Sequence, residues 1–368
     1  MKRETLELLL GGFVHLRATK FLALLITLAI GARAADQLDQ LVDGGHWKRA
    51  AAAVDAALQK NPNDAHALRL KARVRMIYGD LEGAEGLAKK AVELDPKSAD
   101  AHYWLARVYG EQAGKASFFK QIGLARNVRK ELDAALAIDP KHGQAHYVYM
   151  IYYWDAPGIV GGDKNKARAE AQEVMKIDAV RGYMALAELA EKEKQVDKLP
   201  DLYRKQHDAN PNNYETAITW CSYLTSKSRW AEAEKCSRDL EKLDPTRSNA
   251  YTLLAVVYAS QKRWPDLDTT LALAEKNVPD NLVPYYQAGR VIVTDASGSD
   301  YARAERYFRK YLTQEPEPGQ PKLAAAHWRL GLALEKQGHK ADAYKEVEIA
   351  TKMDPKLEAA QADLKRLR

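Results

Sequence analysis

Cysteine, glycine and proline are all scarce in this chain, with 2, 21 and 14 in 368 residues. So few cysteines exclude a small disulfide framework. The shortage of glycine and proline excludes a collagen-like chain and, together with 46% hydrophobic residues, broad disorder. No apolar run beyond residue 35 reaches the ~20 residues that span a bilayer, because charged residues interrupt each one. The mature chain is therefore expected to fold without a membrane span.

Neither positive nor negative charge is in large excess. The chain carries 56 Lys and Arg against 50 Asp and Glu, and the segment 1–34 holds five of the bases and two of the acids. The remainder has 51 bases against 48 acids. A balance this close to neutral produces no general field that would attract a polyanion. Nucleic acid is therefore not expected as a partner.

The N-terminus has the features of an export signal. Basic residues as far as Lys20 precede a ten-residue apolar stretch, Phe21–Ile30, and Ala32-Arg33-Ala34 follows it. This order is typical of a secretory signal peptide with a small-residue cleavage site. We therefore expect a signal peptide over residues 1–34, cleavage near Ala34/Ala35, and a periplasmic or secreted protein. The alternative is that the N-terminus stays uncleaved and anchors the protein in the inner membrane.

A regular repeat runs through the rest of the chain. Prolines preceded by Asp or Asn recur, and the intervals from Pro62 to Pro96 and from Pro211 to Pro245 are both 34. A proline cannot donate a hydrogen bond inside a helix, so each is expected to follow a helix end. Mostly small or apolar residues stand twelve and five positions before the prolines: Ala50, Ala84, Val128, Leu199, Ala233, Leu267, Ala304 and Ala343, and Ala57, Ala91, Ala135, Gln206, Leu240, Ala274, Tyr311 and Ala350. Such columns are typical of stacked helical units.

This pattern resembles the tetratricopeptide repeat, a helix-turn-helix whose period matches the interval between those prolines. The clearest copies are residues 65–98, 248–281 and 324–357. In the last of these, Leu330, Gly331 and Ala343 fall at consensus positions. The resemblance implies an all-α fold, an α-solenoid that winds as a right-handed superhelix. About nine hairpins are expected over residues 35–356, with a C-terminal capping helix over 357–368. The fifth unit departs from the pattern, with Leu199 and Gln206 in the small-residue columns, so the sequence defines its packing least.

The resemblance also implies a function through surfaces, since the first helix of each pair lines a concave groove. Arg and aromatic side chains on that face have the composition of protein-binding hot spots. The residues predicted to bind a partner are Arg69, Arg73, Tyr103, Arg107, Tyr147, Trp154, Tyr286, Arg290 and Trp328. We therefore expect a non-catalytic scaffold of the bacterial envelope that holds a protein or peptide. The alternative is a binder of glycan or peptidoglycan fragments, which would stack on the groove aromatics.

Other motifs predict little chemistry. No order of Ser, His and Asp typical of a hydrolase is present, and His142 and His146 have no third ligand in sequence reach, so no enzyme, cofactor or metal site is expected. The glycine-rich loop 156–163 lacks the spacing of a phosphate-binding loop and is interpreted as a packed insertion, with a contact site for a partner as the alternative. Cys221 and Cys236 are expected to be buried thiols, with a disulfide as the alternative, because antiparallel pairing is expected to set Cys221 opposite Ala233.

Overall fold

A computed structural model describes residues 37–295 and 300–368, and within these ranges the chain forms helices and turns without strands. It divides into two units, which are described separately. Unit 1, up to Ser117, contains α1 (37–43), α2 (Trp47–Lys60), α3 (Ala65–Ile77), α4 (Leu81–Leu94) and α5 (Ala99–Lys115).

Unit 2 begins at Phe118. It contains α6 (Phe118–Ile138), α7 (Gly143–Asp155), α8 (Lys164–Ile177), α9 (Ala179–Lys192), α10 (Leu199–Ala209), α11 (Tyr214–Ser226), α12 (Trp230–Leu243), α13 (Ser248–Ser260), α14 (Trp264–Asn277), α15 (Val283–Thr294), α16 (Tyr301–Tyr311), α17 (Leu323–Lys336), α18 (Lys340–Met353) and α19 (Glu358–Leu367). Short 3₁₀ turns lie at Gly158–Val160 and Val196–Lys198.

Consecutive helices pack as hairpins inside each unit. Unit 1 contains the hairpins of α1 with α2 and of α3 with α4, followed by α5. Unit 2 begins with α6 and continues with six hairpins, from α7 with α8 to α17 with α18, and with α19 at the end. First helices of successive pairs also contact each other, as α3 does with α5, α13 with α15, and α15 with α17. Within each unit, first helices that contact each other therefore contribute to a common surface. The prediction of an all-α solenoid of tetratricopeptide-type hairpins is confirmed.

The hairpin of α3 and α4 shows how the sequence forms one unit. The Asp64 side chain accepts a hydrogen bond from Ala67 N at the start of α3, and Asp80 accepts one from Gly83 N at the start of α4. Both are N-caps that satisfy backbone donors which a helix leaves unpaired. The turn between the helices places Gly79 at φ +82°, in the left-handed region that glycine adopts without strain. The helix α4 then ends at Leu94, two residues before Pro96, as the proline pattern predicts.

Small residues allow the two helices of a pair to approach closely. Ala84 and Ala91 of α4 are fully buried, as are Ala343 and Ala350 of α18. At Gly331 of α17 a Cβ atom would lie 2.5 Å from a methyl group of Val347, so only glycine fits this contact. The first column therefore marks contacts inside a hairpin, as between Ala343 and Gly331, and the second also marks contacts with the following helix, as between Ala350 and Ala360 of α19.

The two irregular segments behave differently. The loop 156–163 is packed, because Val160 is buried and accepts a hydrogen bond from the Tyr152 hydroxyl, and Asp163 caps α8. The interpretation of a packed insertion agrees with these contacts. The helix α10 is short and, of its eleven residues, buries only Gln206. In the two small-residue columns of the fifth hairpin, Gln206 is buried and Leu199 is half-buried.

The terminal helix covers the last hairpin. Leu357, Leu364 and Leu367 pack on a buried cluster that includes Val347 and Ala350 of α18. Arg366 forms an ion pair with Glu335 of α17. A cap of this kind shields the apolar face that the last repeat of an array would otherwise expose.

Cys221 and Cys236 form a disulfide, with their Cα atoms 5.4 Å apart, so the expectation of free thiols is wrong. The error lies in the helix register. The turn of this hairpin is centred near Ser228, since α11 ends at Ser226 and α12 begins at Trp230. Residues equally far from that centre face each other, which brings Cys221 opposite Cys236 and leaves Ala233 about one turn nearer the loop.

The predicted signal peptide of residues 1–34 and the proposed anchoring alternative lie outside the described residues. Among the helices that are described, none combines the length and the apolar character needed to cross a bilayer.

A larger side chain at a column position should destabilise the fold. Replacing the fully buried Ala84 by Leu overpacks the contact between α3 and α4, and we expect a loss of about 1–3 kcal/mol in the free energy of unfolding. Chemical denaturation followed by circular dichroism measures this loss. Glu93→Leu, at an exposed position of the same helix, is the control and should change stability by less than about 0.5 kcal/mol. Equal stability of the two variants would contradict the packing role of the column.

The disulfide should add to stability by restricting the unfolded chain. Its cysteines are 15 residues apart, and a bridge closing such a loop contributes about 2–4 kcal/mol. The double variant Cys221→Ala, Cys236→Ala should therefore unfold at lower denaturant concentration. Dithiothreitol should lower the midpoint of the wild-type protein and leave the midpoint of the double variant unchanged. A reductant effect on both would show that the loss does not come from this bridge.

Candidate functional site

The predicted partner-binding arginines of unit 1 already have carboxylate partners. Arg73 Nη2 lies 2.6 Å from Asp43 Oδ1, and Arg69 Nη2 lies 3.6 Å from Asp39 Oδ1. Both acids come from α1. The exposed fraction of each arginine side chain is 13%. The charge of these two arginines is therefore compensated inside the protein.

Trp104 organises this part of unit 1, although it was not among the residues predicted from the sequence. The guanidinium of Arg73 lies over its ring, 4.2 Å from the centroid, and that of Arg107 lies 5.6 Å from the same centroid. Tyr103 is buried, meets Trp104 edge to face, and accepts a hydrogen bond from Arg107 Nη1. The structure thus brings Arg73, Tyr103 and Arg107 together around one indole. Such cation–π contacts are worth about 0.5–2 kcal/mol.

Two further predicted residues lie on α7 of unit 2. Tyr147 and Trp154 are half-buried and pack against the cluster around Met150. The Trp154 ring also has Lys164 Nζ 4.8 Å from its centroid. These aromatic rings are partly used for packing between α7 and α8, which leaves a reduced area for a partner.

A pair of arginines on α15 and α17 differs from those of unit 1. Arg290 and Arg329 are half-buried, and neither forms an ion pair with a carboxylate of the residues that the structure describes. Arg290 donates from Nε to Gln287 at 2.6 Å, and Arg329 donates from Nε to the Tyr286 hydroxyl at 2.9 Å. Their bonds are therefore to neutral groups, and both positive charges remain uncompensated.

The two guanidinium groups act on each other. Burial, and after it the positive charge of Arg329, lower the pKa of Arg290 from its usual value. Like charges that interact in a half-buried site repel each other, and an anion bound nearby would relieve that repulsion. We call Tyr286, Gln287, Arg290, Trp328 and Arg329 the arginine site.

Trp328 links the arginine site to the terminal helix. Its indole Nε1 donates a hydrogen bond to Asp363 of α19 at 2.8 Å, and the Arg329 guanidinium lies 4.9 Å from its ring centroid. Tyr286 is buried and meets Phe308 edge to face. Both aromatic residues therefore hold Arg329 in place more than they offer free ring faces.

Arg329 could have been found from the sequence. Arg329 follows Arg290 by 39 residues, which is also the interval between Pro316 and Pro355. The repeat thus places the two arginines at equivalent positions of α15 and α17. The residue predicted from the sequence was the neighbouring Trp328.

The histidines that were considered for metal binding have other roles. His142 Nδ1 accepts a hydrogen bond from Ala145 N and caps α7, while His146 Nδ1 lies 2.7 Å from Glu170 Oε2. Within residues 37–295 and 300–368, no group of three or more potential metal ligands is found.

Two family models match separate parts of the chain. One is described as "Regulator of microtubule dynamics protein 1-3" and matches residues 35–156. The other is described as "T7SS, ESX-1 secretion system protein EccA1, N-terminal domain" and matches residues 198–365. Each covers less than half of the chain. A comparison with curated proteins finds no match.

Several solved structures are similar to this chain. TTC0263, a tetratricopeptide protein of Thermus thermophilus, is 22% identical, with 52% of this chain and 98% of that chain covered and a TM-score of 0.46. Yeast Tom70 is 13% identical, with 92% and 88% covered and a TM-score of 0.46. PilF of Pseudomonas aeruginosa is 17% identical, with 60% and 94% covered and a TM-score of 0.35. By its own hairpin geometry, the chain has an all-α fold of stacked helical hairpins.

The pair of His146 and Glu170 predicts a pH dependence of stability. The hydrogen bond to Glu170 is the largest cause that raises the pKa of His146 above its usual value. A raised pKa in the folded state stabilises the protein fully below the unfolded pKa of about 6.5, and this contribution is lost as the pH rises through the folded pKa. Denaturation midpoints measured from pH 6 upward should show the loss. His146→Gln and Glu170→Gln should both remove this part of the profile, and an unchanged profile in either variant would contradict the assignment.

Proposed function

We propose that this protein is a non-catalytic scaffold that binds an acidic segment of a protein partner on the first-helix surface of unit 2. The observation that carries the proposal is the pair of half-buried guanidinium groups of Arg290 and Arg329, which no carboxylate of the described residues compensates. Charged groups in such positions are normally paired. A carboxylate supplied by a partner would complete the site.

The chemistry of the arginine site defines the kind of segment that fits. Arginine presents planar, forked donors that match a carboxylate in a bidentate arrangement. Tyr286 and Trp328 hold the Arg329 guanidinium by a hydrogen bond and by ring contact, so its donors are ordered before a partner arrives. An Asp or Glu side chain, or the C-terminal carboxylate of a peptide, meets these requirements.

The arginines of unit 1 are less suited to bind a partner carboxylate. Arg69 and Arg73 were predicted to bind a partner, but Asp39 and Asp43 already occupy them. A partner carboxylate would have to displace these acids at some cost. The acidic segment is therefore proposed to bind at α15 and α17, with Tyr147 and Trp154 of the same unit as secondary contacts.

The compartment is proposed on two observations. The disulfide between Cys221 and Cys236 is of a kind that forms and persists in oxidising surroundings. The sequence of residues 1–34 has the order of a secretory signal. Both support a periplasmic or secreted protein. The match of residues 198–365 to a model built on a secretion-system protein is compatible with an envelope assembly.

A glycan ligand is a weaker proposal. Sugar rings stack on exposed aromatic faces, and the rings of Tyr103 and Tyr286 are buried, with 4% and 5% of each residue exposed. The arginine site provides donors for an anion instead of a flat stacking platform. A polypeptide carboxylate is therefore favoured over a cell-wall fragment.

The proposal predicts a loss of affinity when the site loses its charge. Fluorescence polarisation with a library of labelled peptides should select Asp- and Glu-rich sequences. Arg290→Gln and Arg329→Gln should each weaken the selected peptides about tenfold, because hydrogen bonds to charged groups contribute about 1.5–3 kcal/mol. High salt should weaken the wild-type complex.

The control variant removes one positive charge from a different surface of unit 2. Arg306→Gln removes an exposed arginine of the second helix α16, away from the first-helix surface, and should leave affinity unchanged. Selection of neutral peptides, or equal affinity of the three variants, would refute the arginine site. Circular dichroism of each variant would separate lost binding from lost folding.

A further inference from the structure

Two apolar side chains of unit 2 are strongly exposed near the helix α6. Phe119, in the first turn of α6, is 85% exposed, and Ile159, in the short turn after α7, is 72% exposed. Among the large hydrophobic side chains of residues 37–295 and 300–368, these two exposed fractions are the highest. A single exposed apolar side chain is common in proteins, so the surroundings of these two decide what they indicate.

The loop that carries Ile159 has a packed conformation. The next residue, Val160, is buried, and its carbonyl oxygen accepts a hydrogen bond from the Tyr152 hydroxyl. At Gly162 a Cβ atom would lie 1.8 Å from the carbonyl oxygen of Ala156, so only glycine permits this course of the backbone. The packing of the loop therefore holds Ile159 on the outside.

Three cations lie beside Ile159. An open cleft of about 430 Å³ between α6 and this loop is lined by Arg126, Arg129 and Lys130 together with Ile159. Their spacing along α6 places the three basic side chains on neighbouring positions of one helix face. Phe119 belongs to the same face, because it precedes Arg126 by about two turns of helix. We call Phe119, Arg126, Arg129, Lys130 and Ile159 the α6 face.

The positive charge of the α6 face is only partly compensated. Within the described part of the chain, Arg126 has no ion pair, and the ion pair of Lys130 with the adjacent acid is long, at 3.7 Å. Asp133 is the acid that lines the cleft, and it is already bonded. It accepts a hydrogen bond from the Tyr149 hydroxyl and lies 3.8 Å from Arg129 Nε. The cleft therefore has an excess of positive charge.

This arrangement has a cost in the absence of a partner. Arg126 and Lys130 stand four residues apart, and like charges at this spacing destabilise a helix. The exposed Phe119 and Ile159 gain nothing from burial while they face water. A partner that presents both negative charge and an apolar layer would compensate the charges and bury the side chains together.

We propose that the α6 face docks on the surface of a membrane that contains anionic phospholipids. The three cations would lie at the phosphate level, and Phe119 and Ile159 would enter the boundary between headgroups and acyl chains. Basic residues beside exposed aromatic and aliphatic side chains have the composition of interfacial membrane binding. Such docking needs no spanning helix. A free phosphate or an acidic polypeptide would engage the cations and leave the exposed side chains unexplained.

Sedimentation of the full-length protein with vesicles tests this inference. Vesicles of phosphatidylcholine and phosphatidylglycerol in equal parts should bind the protein more tightly than vesicles of phosphatidylcholine alone, and high salt should weaken this binding. Arg126→Gln and Lys130→Gln should each weaken it about fivefold, the contribution of one cation near an anionic surface. Ile159→Ser should weaken it about fivefold to tenfold, because less apolar surface is buried.

Matched control variants show whether these effects belong to the α6 face. Arg306→Gln removes an exposed arginine of α16, and Val196→Ser shortens an exposed apolar side chain of the turn before α10. Arg290→Gln alters the arginine site, which takes no part in this docking. All three should bind vesicles as the wild-type protein does. Residues 1–34 are the same in every variant, so differences between variants report on the substituted positions. Circular dichroism checks that each variant is folded.

Four outcomes would overturn the proposal. Equal binding to both kinds of vesicle, or equal weakening by the controls, would show that the α6 face does not recognise an anionic surface. Unchanged binding by Ile159→Ser would reduce the face to a site for charge alone. Displacement from the vesicles by inorganic phosphate, beyond the effect of sodium chloride at equal ionic strength, would assign the cations to a free phosphate. Tighter binding to polyglutamate than to the vesicles, weakened in Arg126→Gln, would assign the face to an acidic protein.

Discussion

The structure depends on the close contact between two short helices that cannot bury their apolar sides alone. Alanine and glycine at Ala84, Ala343 and Gly331 let the backbones approach, and neighbouring helices cover what each hairpin leaves exposed. Stability of such an array is a sum over adjacent contacts instead of one shared core. Polar or charged residues on the first helices are therefore free to vary for binding.

Much of this fold could be predicted from the sequence, because the features that set it are local. The prolines after Asp95 and Asp354 mark helix ends in the structure, and the alanine columns mark contacts. Other features were hidden. The turns before α12 and α14 hold Ser228 and Lys262 at positive φ, where other hairpins have glycine, so no glycine signalled them. The disulfide depends on a register that one turn of helix changes.

The sequence could predict which residues face the binding surface, but not whether a neighbouring acid compensates the charge of each one. Arg73 and Arg290 occupy similar places on first helices, and both were selected from the sequence. Only the structure shows that Asp43, which lies on a different helix, neutralises Arg73. It also shows that Arg290 interacts with a second cation, Arg329. Pairing between distant segments follows from tertiary packing, which periodicity does not encode. The difference decides which of these arginines is available to an anion.

The terminal helix α19 has a consequence beyond stability. A stack of repeats with a bare last face is a template on which another copy could continue the series, as subunits add to a filament. Here Leu364 and Leu367 occupy that face, and the ion pair of Arg366 with Glu335 fastens the covering helix to the first helix beneath it. Through α19 the chain itself covers the apolar face of this hairpin, a face on which another copy could otherwise dock.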